Sequence, residues 1–187
     1  MDELIKAFSL DGLSKSPAVF DYAKLDWMNG EYLKVMSDDD FAYAAEKYLA
    51  DFDAERKIFL ASLLKTRVSK LSDIPAQIAF LKELPPFDRE LFTNKRNKVT
   101  PEKSAEIISS AIKILEQVDD WTLDALNQKI SAFVTESGLK IGAVMWPLRI
   151  ALSMQKVTPG GVTEILYLLG KKISLERLNS ALGNLRG

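Results

Sequence analysis

The side chains best equipped for chemistry in this sequence are cations and carboxylates, because two versatile residue types are missing. None of the 187 residues is histidine and none is cysteine. That removes the commonest general base and the commonest metal ligand. It also excludes disulfides, thiolate nucleophiles and cysteine-based zinc sites. Any catalysis would rest on carboxylates, lysines or hydroxyls. The triplet Asp38-Asp39-Asp40 resembles a metal cluster, but it directly follows Ser37 at the start of an apolar-periodic stretch. Carboxylates in a first helical turn sit at the positive end of the dipole, so the triplet reads as a helix start and no metal site is expected. Lys95, Arg96 and Lys98 crowd into a polar stretch without period. Such cations suit phosphates, which position a nucleic acid without reading its sequence. Trp27 and Trp146 could stack on bases, yet helical spacing with their apolar neighbourhoods places both in cores.

The net charge of −1 gives nucleic-acid binding no support, but its distribution does. Residues 1–64 carry −6 and residues 65–103 carry +4; residues 104–128 carry −4 and residues 129–187 carry +5. A positive face forms if the two basic segments fold together. The bland alternative is four solvated faces.

The elements that must position these residues are helices. Apolar residues recur at helical spacing along most of the chain, nothing reads as strand, and the fold class is all-α. Asp21 should cap a short helix through Trp27 and Met28, ended by Asn29-Gly30. Ser37 starts a stretch with Phe41, Ala44, Ala45, Tyr48 and Leu49 on one side. The next helix carries Ile58, Phe59, Leu63 and Leu64 and reaches Lys65-Thr66-Arg67 near its end. Another holds Ile74, Ile78 and Leu81, with Pro75 tolerated in its first turn. Pro85-Pro86 then stops helix formation, and 87–99 reads as a linker or loop. Thr100-Pro101 starts a helix through Ile107, Ile108, Ala111, Ile112 and Leu115. Thr122 caps one with Leu126, Ile130 and Phe133, ended by Gly138. Residues 140–153 form an apolar segment interrupted by Pro147. Thr158-Pro159 opens a helix through Ile165, Leu166 and Leu169 to Gly170, and Ser174 opens the last.

The start, Met1-Asp2-Glu3, lacks the basic-then-apolar order of a signal peptide. No apolar run approaches the roughly 20 residues a bilayer span needs. A soluble, cytoplasmic chain with no membrane partner is expected.

Three blocks carry a family resemblance: FSLDGLSKSPAVFDYAKLDWMNGEY (8–32), LKIGAVMWPLRIAL (139–152) and VTPGGVTEILYLLGKK (157–172). In this order and spacing the chain resembles the carboxy-terminal part of bacterial glutamyl-tRNA synthetases. The resemblance implies the helical anticodon-binding region of a class I aminoacyl-tRNA synthetase. Residues 1–37 would end a stem-contact region; 38–98 and 99–187 would be two helical anticodon-binding subdomains. The implied partner is tRNA(Glu), with no DNA, and a monomer is expected. The catalytic domain, with its HIGH-type motif, KMSKS-type loop, ATP and Mg, would lie upstream. No cofactor is expected in this chain, which alone should bind tRNA weakly and catalyse nothing. Gly12-Leu13-Ser14-Lys15-Ser16 looks like the end of a KMSKS loop. The family carries that similar stretch downstream of its true ATP loop, so Lys15 is read as a surface or phosphate-facing residue.

Carried over from the family by position, the anticodon-contacting residues are Arg67 in KTRVSKL, Arg149 in WPLR, and Thr158, Pro159 and Gly161 in the TPGG turn. Lys15, Lys95, Arg96 and Lys98 are the phosphate candidates. Glutamate and glutamine anticodons differ in their third base, C against G. The pairing edge of cytosine offers the acceptors O2 and N3 to the donor-only guanidinium of Arg67, whereas that of guanine turns N1 and N2 donors toward it. Each residue also has an ordinary structural reading. Arg67 could satisfy the carbonyls of a helix end, and Arg149 could lie along the surface with its stem packed. Pro147 should loosen its helix and aim Arg149 outward, and Thr158-Pro159 could simply cap a helix. Gly161 departs from members with a larger apolar residue at this turn, so it brings no side chain to pack on a base. The rival reading is a helical protein–protein interaction module derived from such a domain.

Overall fold

Four of the helix caps expected from the sequence, Asp21, Ser37, Thr100 and Thr122, are in place. A computed structural model describes residues 2–9 and 19–187. The helices are α1 (Asp2–Ala7), α2 (Tyr22–Val35), α3 (Asp38–Ala44), α4 (Glu46–Leu49), α5 (Ala54–Leu64) and α6 (Ile74–Lys82). They continue with α7 (Pro101–Glu116), α8 (Leu123–Ser137), α9 (Ile141–Ser153) and α10 (Val162–Arg186). Side chains of Asp21, Ser37, Asp53, Thr100 and Thr122 accept hydrogen bonds from the amides of Lys24, Asp40, Arg56, Lys103 and Ala125. Each such cap is worth about 1 kcal/mol. Gly138 ends α8 in the left-handed conformation, φ 63°. Among the described residues the only β-type pairing is the isolated bridge Asn94–Val99.

One buried cluster runs from Leu33 to Leu185. Its centre is α7, whose Ile107, Ile108, Ala111, Ile112 and Leu115 are buried as expected and which packs against α8, α9 and α10. Burying a side chain of this size contributes about 1.5–3 kcal/mol. No helix among the described residues is long and apolar enough to cross a membrane.

Several elements differ from the expectation. Asn29-Gly30 does not end α2, which continues to Val35. Gly30 is buried against Ser69, whose Oγ would stand 3.4 Å from an added Cβ, and the Asn29 side-chain amide donates to the Ser69 carbonyl. The pair is a tertiary contact, not a stop signal. Trp27 is 62% exposed and lies outside the core. The stretch after Ser37 breaks at Ala45, and Ala44 is exposed while Ala42 is buried. Gly170, at φ 75° and ψ 165°, divides α10 into two arms. An L side chain rarely adopts that backbone. The helical chain resumes directly after it, so Ser174 lies within the second arm, buried, with its Oγ donating to the Leu166 carbonyl at 3.4 Å.

Residues 87–99 form no α-helix, as expected of a loop, but they hold a 3-10 helix at Arg89–Phe92 and are pinned. Phe92 is fully buried and stacks on Phe87 at 5.5 Å between ring centroids. Ser104 Oγ donates to the Phe92 carbonyl and Trp146 Nε1 to the Leu91 carbonyl. Arg89 reaches the carbonyl of Leu185.

Candidate nucleic-acid interface

Arg67 stands in the turn after α5, its amide donating to the Leu64 carbonyl at 2.7 Å. The basic residues on either side of it are neutralised. Lys65 pairs with Asp38 at 2.7 Å and Lys70 with Asp26 at 2.7 Å. The carboxylate of Asp26 also raises the Lys70 pKa through its hydrogen bond. The Arg67 side chain is exposed and bonds no helix-end carbonyl among the described residues. The structural alternative of a capping arginine therefore does not describe it.

The same face of α5 leads to the second candidate group. Glu55, Phe59 and Leu63 recur every four residues and so share one side of the helix. Tyr167 in α10 donates its hydroxyl to Glu55 at 2.6 Å and packs edge-on against Phe59 at 5.3 Å. The Glu55 carboxylate, with burial adding to it, pushes the Tyr167 pKa up to about 12. Farther along, Gly160 lies against Leu63. The turn 158–161 thus meets α5 four residues before Arg67.

Within that turn the assignments shift. Thr158 is buried, 6% exposed, and its hydroxyl donates to the Gly160 carbonyl at 2.6 Å. Pro159 is buried as well. Helix α10 begins at Val162 with Gly161 as its N-cap, so Thr158-Pro159 does not open it. Thr158 and Pro159 shape the turn from inside, and the exposed side chains beside it are Lys156 and Val157, which precede it. Arg149 lies in α9, which runs through the buried Pro147. It is half-buried rather than projecting, and its Nε is sealed from solvent with no acceptor. Ser153 Oγ donates to the Arg149 carbonyl at 2.8 Å, and the chain turns away at Met154, φ 51°, toward 158–161.

Lys95, Arg96 and Lys98 form a basic tip on the Asn94–Val99 bridge. All three are exposed. Asn94 Oδ1 accepts from the Asn97 amide at 3.0 Å, and Lys98 takes a left-handed φ of 53°. Asn97 presses on Gly142, where an added Cβ would stand 2.7 Å from Asn97 Oδ1. The tip is thereby held on the amino end of α9. The two basic segments of the sequence meet here, where Asn97 lies against Gly142. Lys15 lies outside the described residues.

One pattern separates the arginines. Arg56, Arg89, Arg177 and Arg186 each hold a hydrogen-bond partner with their guanidinium. Arg67, Arg96 and Arg149 hold none among the described residues. The grooves lie apart from these three. One of about 560 Å³ is lined by Lys47, Tyr48, Ile78 and Pro85. Another of about 510 Å³ carries Asp38, Glu55 and Asp124, whose charge opposes a phosphate. No group of three or more carboxylates among the described residues could hold a metal ion.

An all-helical body whose Arg67, Arg96 and Arg149 have no partner among the described residues is compatible with a helical RNA-binding domain, and comparison with known proteins gives the class. The anticodon binding domain family matches residues 13–182, and the chain belongs to that family. Within it the relatives are glutamate–tRNA ligases, and the chain is homologous to their carboxy-terminal anticodon-binding region. The enzyme of Clostridium acetobutylicum is 40% identical over 181 residues, 95% of this chain and 37% of the relative. That of Clostridium novyi is 40% identical over 192 residues, 100% of this chain and 39% of the relative. A crystal structure of a glutamate tRNA ligase from Elizabethkingia meningosepticum in complex with its amino acid matches with TM-score 0.84 at 26% identity. That match covers 98% of this chain and 36% of the other. The chain spans less than two fifths of the length of these relatives.

Sequence reasoning missed the residues that support the site. Asp38 and Asp26 silence the neighbours of Arg67, Asn97 fixes the basic tip, and Arg177 joins two helix ends. Only Asn94 and Asn97, three apart within a basic stretch, left a local signal of a turn.

Proposed function

We propose that this chain binds the anticodon arm of tRNA(Glu) and reads the third anticodon base with Arg67. The observation that carries this reading is the pattern of free guanidiniums. Of the three arginines without a partner among the described residues, Arg67 and Arg149 stand where the family resemblance implies anticodon contacts, and Arg96 stands in the basic tip. RNA is read in sequence where bases are unstacked, through hydrogen bonds to their edges. Arg67, whose guanidinium has no partner among the described residues, can give two donors to O2 and N3 of a cytosine. A guanine there would set donor against donor, at a cost of about 1–3 kcal/mol when buried.

The turn 158–161 contributes backbone and shape, with Thr158 and Pro159 as its internal braces and Gly161 open to the ligand. Lys95, Arg96 and Lys98 hold phosphates and set orientation. In this reading 38–98 and 99–187 act as two halves of one anticodon-binding surface, 1–37 ends a stem-contact region, and the chain acts as a monomer in the cytoplasm. Ligation of glutamate to tRNA with ATP is assigned to the remainder of the longer protein, and the chain alone carries no charging activity.

A salt titration tests the binding reading. Affinity for a glutamate tRNA should fall with salt by about 0.7–0.9 log units per log of salt for each phosphate contact. Salt-independent affinity, or none at low salt, would contradict it.

A further inference from the structure

The two candidate halves are joined by a side chain of the second half that lies away from both candidate readers. Arg177 lies in the second arm of α10, where Ser174, Arg177, Leu178, Ala181 and Leu185 form the buried stripe. It is only 8% exposed. Its Nη1 donates to the carbonyls of Phe80 and Leu152, both at 2.7 Å, and its Nη2 to that of Leu81 at 3.2 Å. Phe80 and Leu81 lie in the last turn of α6, and Leu152 lies in the last turn of α9. Carbonyls of a last turn lack intrahelical partners and sit at the negative end of the dipole. No carboxylate pairs with this guanidinium among the described residues; two helix ends serve as its counter-charge. Burial lowers its pKa, yet an arginine remains charged.

Of the helices it joins, α9 carries one candidate reader and α6 follows the loop that carries the other. Arg149 lies three residues before Leu152 in α9, and the chain leaves that helix for the turn 158–161. The loop bearing Arg67 runs directly into α6, tied to it where the Lys70 amide donates to the Asp73 carboxylate at 3.0 Å. Other links between the halves, such as Tyr167 to Glu55, Gly160 to Leu63 and Trp146 Nε1 to the Leu91 carbonyl, grip backbone on one side at most. Among the described residues, Arg177 alone grips backbone on both sides with one planar, rigid fork. Gly170, whose non-helical backbone divides α10, sets the direction of the arm that carries Arg177.

We propose that Arg177 is a positioning residue: its bridge between the ends of α6 and α9 fixes Arg67 against Arg149 and the 158–161 turn, so that one RNA loop engages both. The proposal rests on the anticodon-binding reading for its consequence, but not for its geometry. A lysine is a point donor and cannot span the three carbonyls. Arg177→Lys keeps the charge and remains the folded variant if Arg177→Met does not fold.

The test has two arms. The absence of cysteine allows spin labels at Thr66→Cys and Lys156→Cys without other changes. The distance distribution between them should be narrow with Arg177 and broadened or shifted in Arg177→Lys, at a temperature where circular dichroism shows both fully folded. An unchanged distribution would overturn the proposal, whatever the RNA does. In the second arm, a glutamate-tRNA anticodon stem-loop should bind folded Arg177→Lys about threefold to thirtyfold more weakly. A double-mutant cycle between Arg67→Ala and Arg149→Ala should lose its coupling in that background. Undiminished affinity and coupling in the folded variant would also overturn it. A stem-loop that binds neither protein, beside a broadened distance, would remove the anticodon reading and leave the positioning role standing.

Discussion

Gly160 stands directly on Leu63: a Cβ added to the glycine would lie 3.2 Å from Leu63 Cδ1 and 2.8 Å from Glu164 Cβ. Two segments nearly a hundred residues apart are thereby brought to van der Waals contact, and the turn 158–161 is set beside the helix that ends at Arg67. Neither neighbour yields easily, because Glu164 Cβ is fixed to its backbone and Leu63 is packed against the core.

The adjacent glycine is different. At Gly161 an added Cβ would meet only the Glu164 carboxylate, at 2.7 Å from Oε2, and a flexible side chain can swing away. Its φ of −81° suits any residue. Gly160→Ala should therefore cost about 1–3 kcal/mol through overpacking. Gly161→Ala should stay within about 0.5 kcal/mol of the unmodified chain. Denaturant unfolding of the two variants measures the difference; equal costs would mean the turn does not sit on α5 as described.

The Tyr167–Glu55 bond gives that same junction a pH signature. The folded pKa of Tyr167, at about 12, lies above its ordinary value of 10.0. A raised pKa means that the protonated phenol is favoured in the folded state. Its contribution is fully present below pH 10 and is lost as pH rises from about 10 to 12. The thermal midpoint of the chain should fall through that window more steeply than that of Tyr167→Phe. Parallel curves for the two proteins would show that the bond to Glu55 does not form.

Lys98 couples charge to backbone in the basic tip. Its φ of 53° is disfavoured for a side-chain-bearing residue by about 1–2 kcal/mol. Lys98→Gly relieves that conformation while removing a cation. Stability should hold or rise, while the slope of log affinity against log salt should shrink by about 0.7–0.9. Lys98→Gln should shrink the slope equally without the gain in stability. An unchanged slope in both would take Lys98 off the RNA.

What was legible in the sequence was local. Ser37, Thr100 and Thr122 cap because a hydroxyl reaches an amide three residues on, and Gly138 and Gly170 break helices because their own φ is positive. Asn29-Gly30 misled because its role lies forty residues away, at Ser69. Trp27 misled because spacing alone does not say whether a partner covers that face. At the site, the family resemblance supplied positions but not accessibility. The burial of Thr158 depends on how the turn folds over α5. The isolation of Arg67 depends on Asp38 and Asp26 having claimed Lys65 and Lys70. Arg177 gave no signal, since a lone arginine in a helix reads as surface until its three carbonyls are seen.

The central claim is that Arg67 reads the third anticodon base, and the most direct measurement is a binding comparison. Two glutamate-tRNA anticodon stem-loops differing only in that base, C or G, are titrated at low and moderate salt against the unmodified chain and Arg67→Gln. The unmodified chain should prefer C by about tenfold to a hundredfold, the equivalent of a buried donor–donor clash. Glutamine carries both a donor and an acceptor, so the preference should vanish in the variant. Equal binding of both loops by the unmodified chain, or a preference that survives in Arg67→Gln, would contradict the assignment.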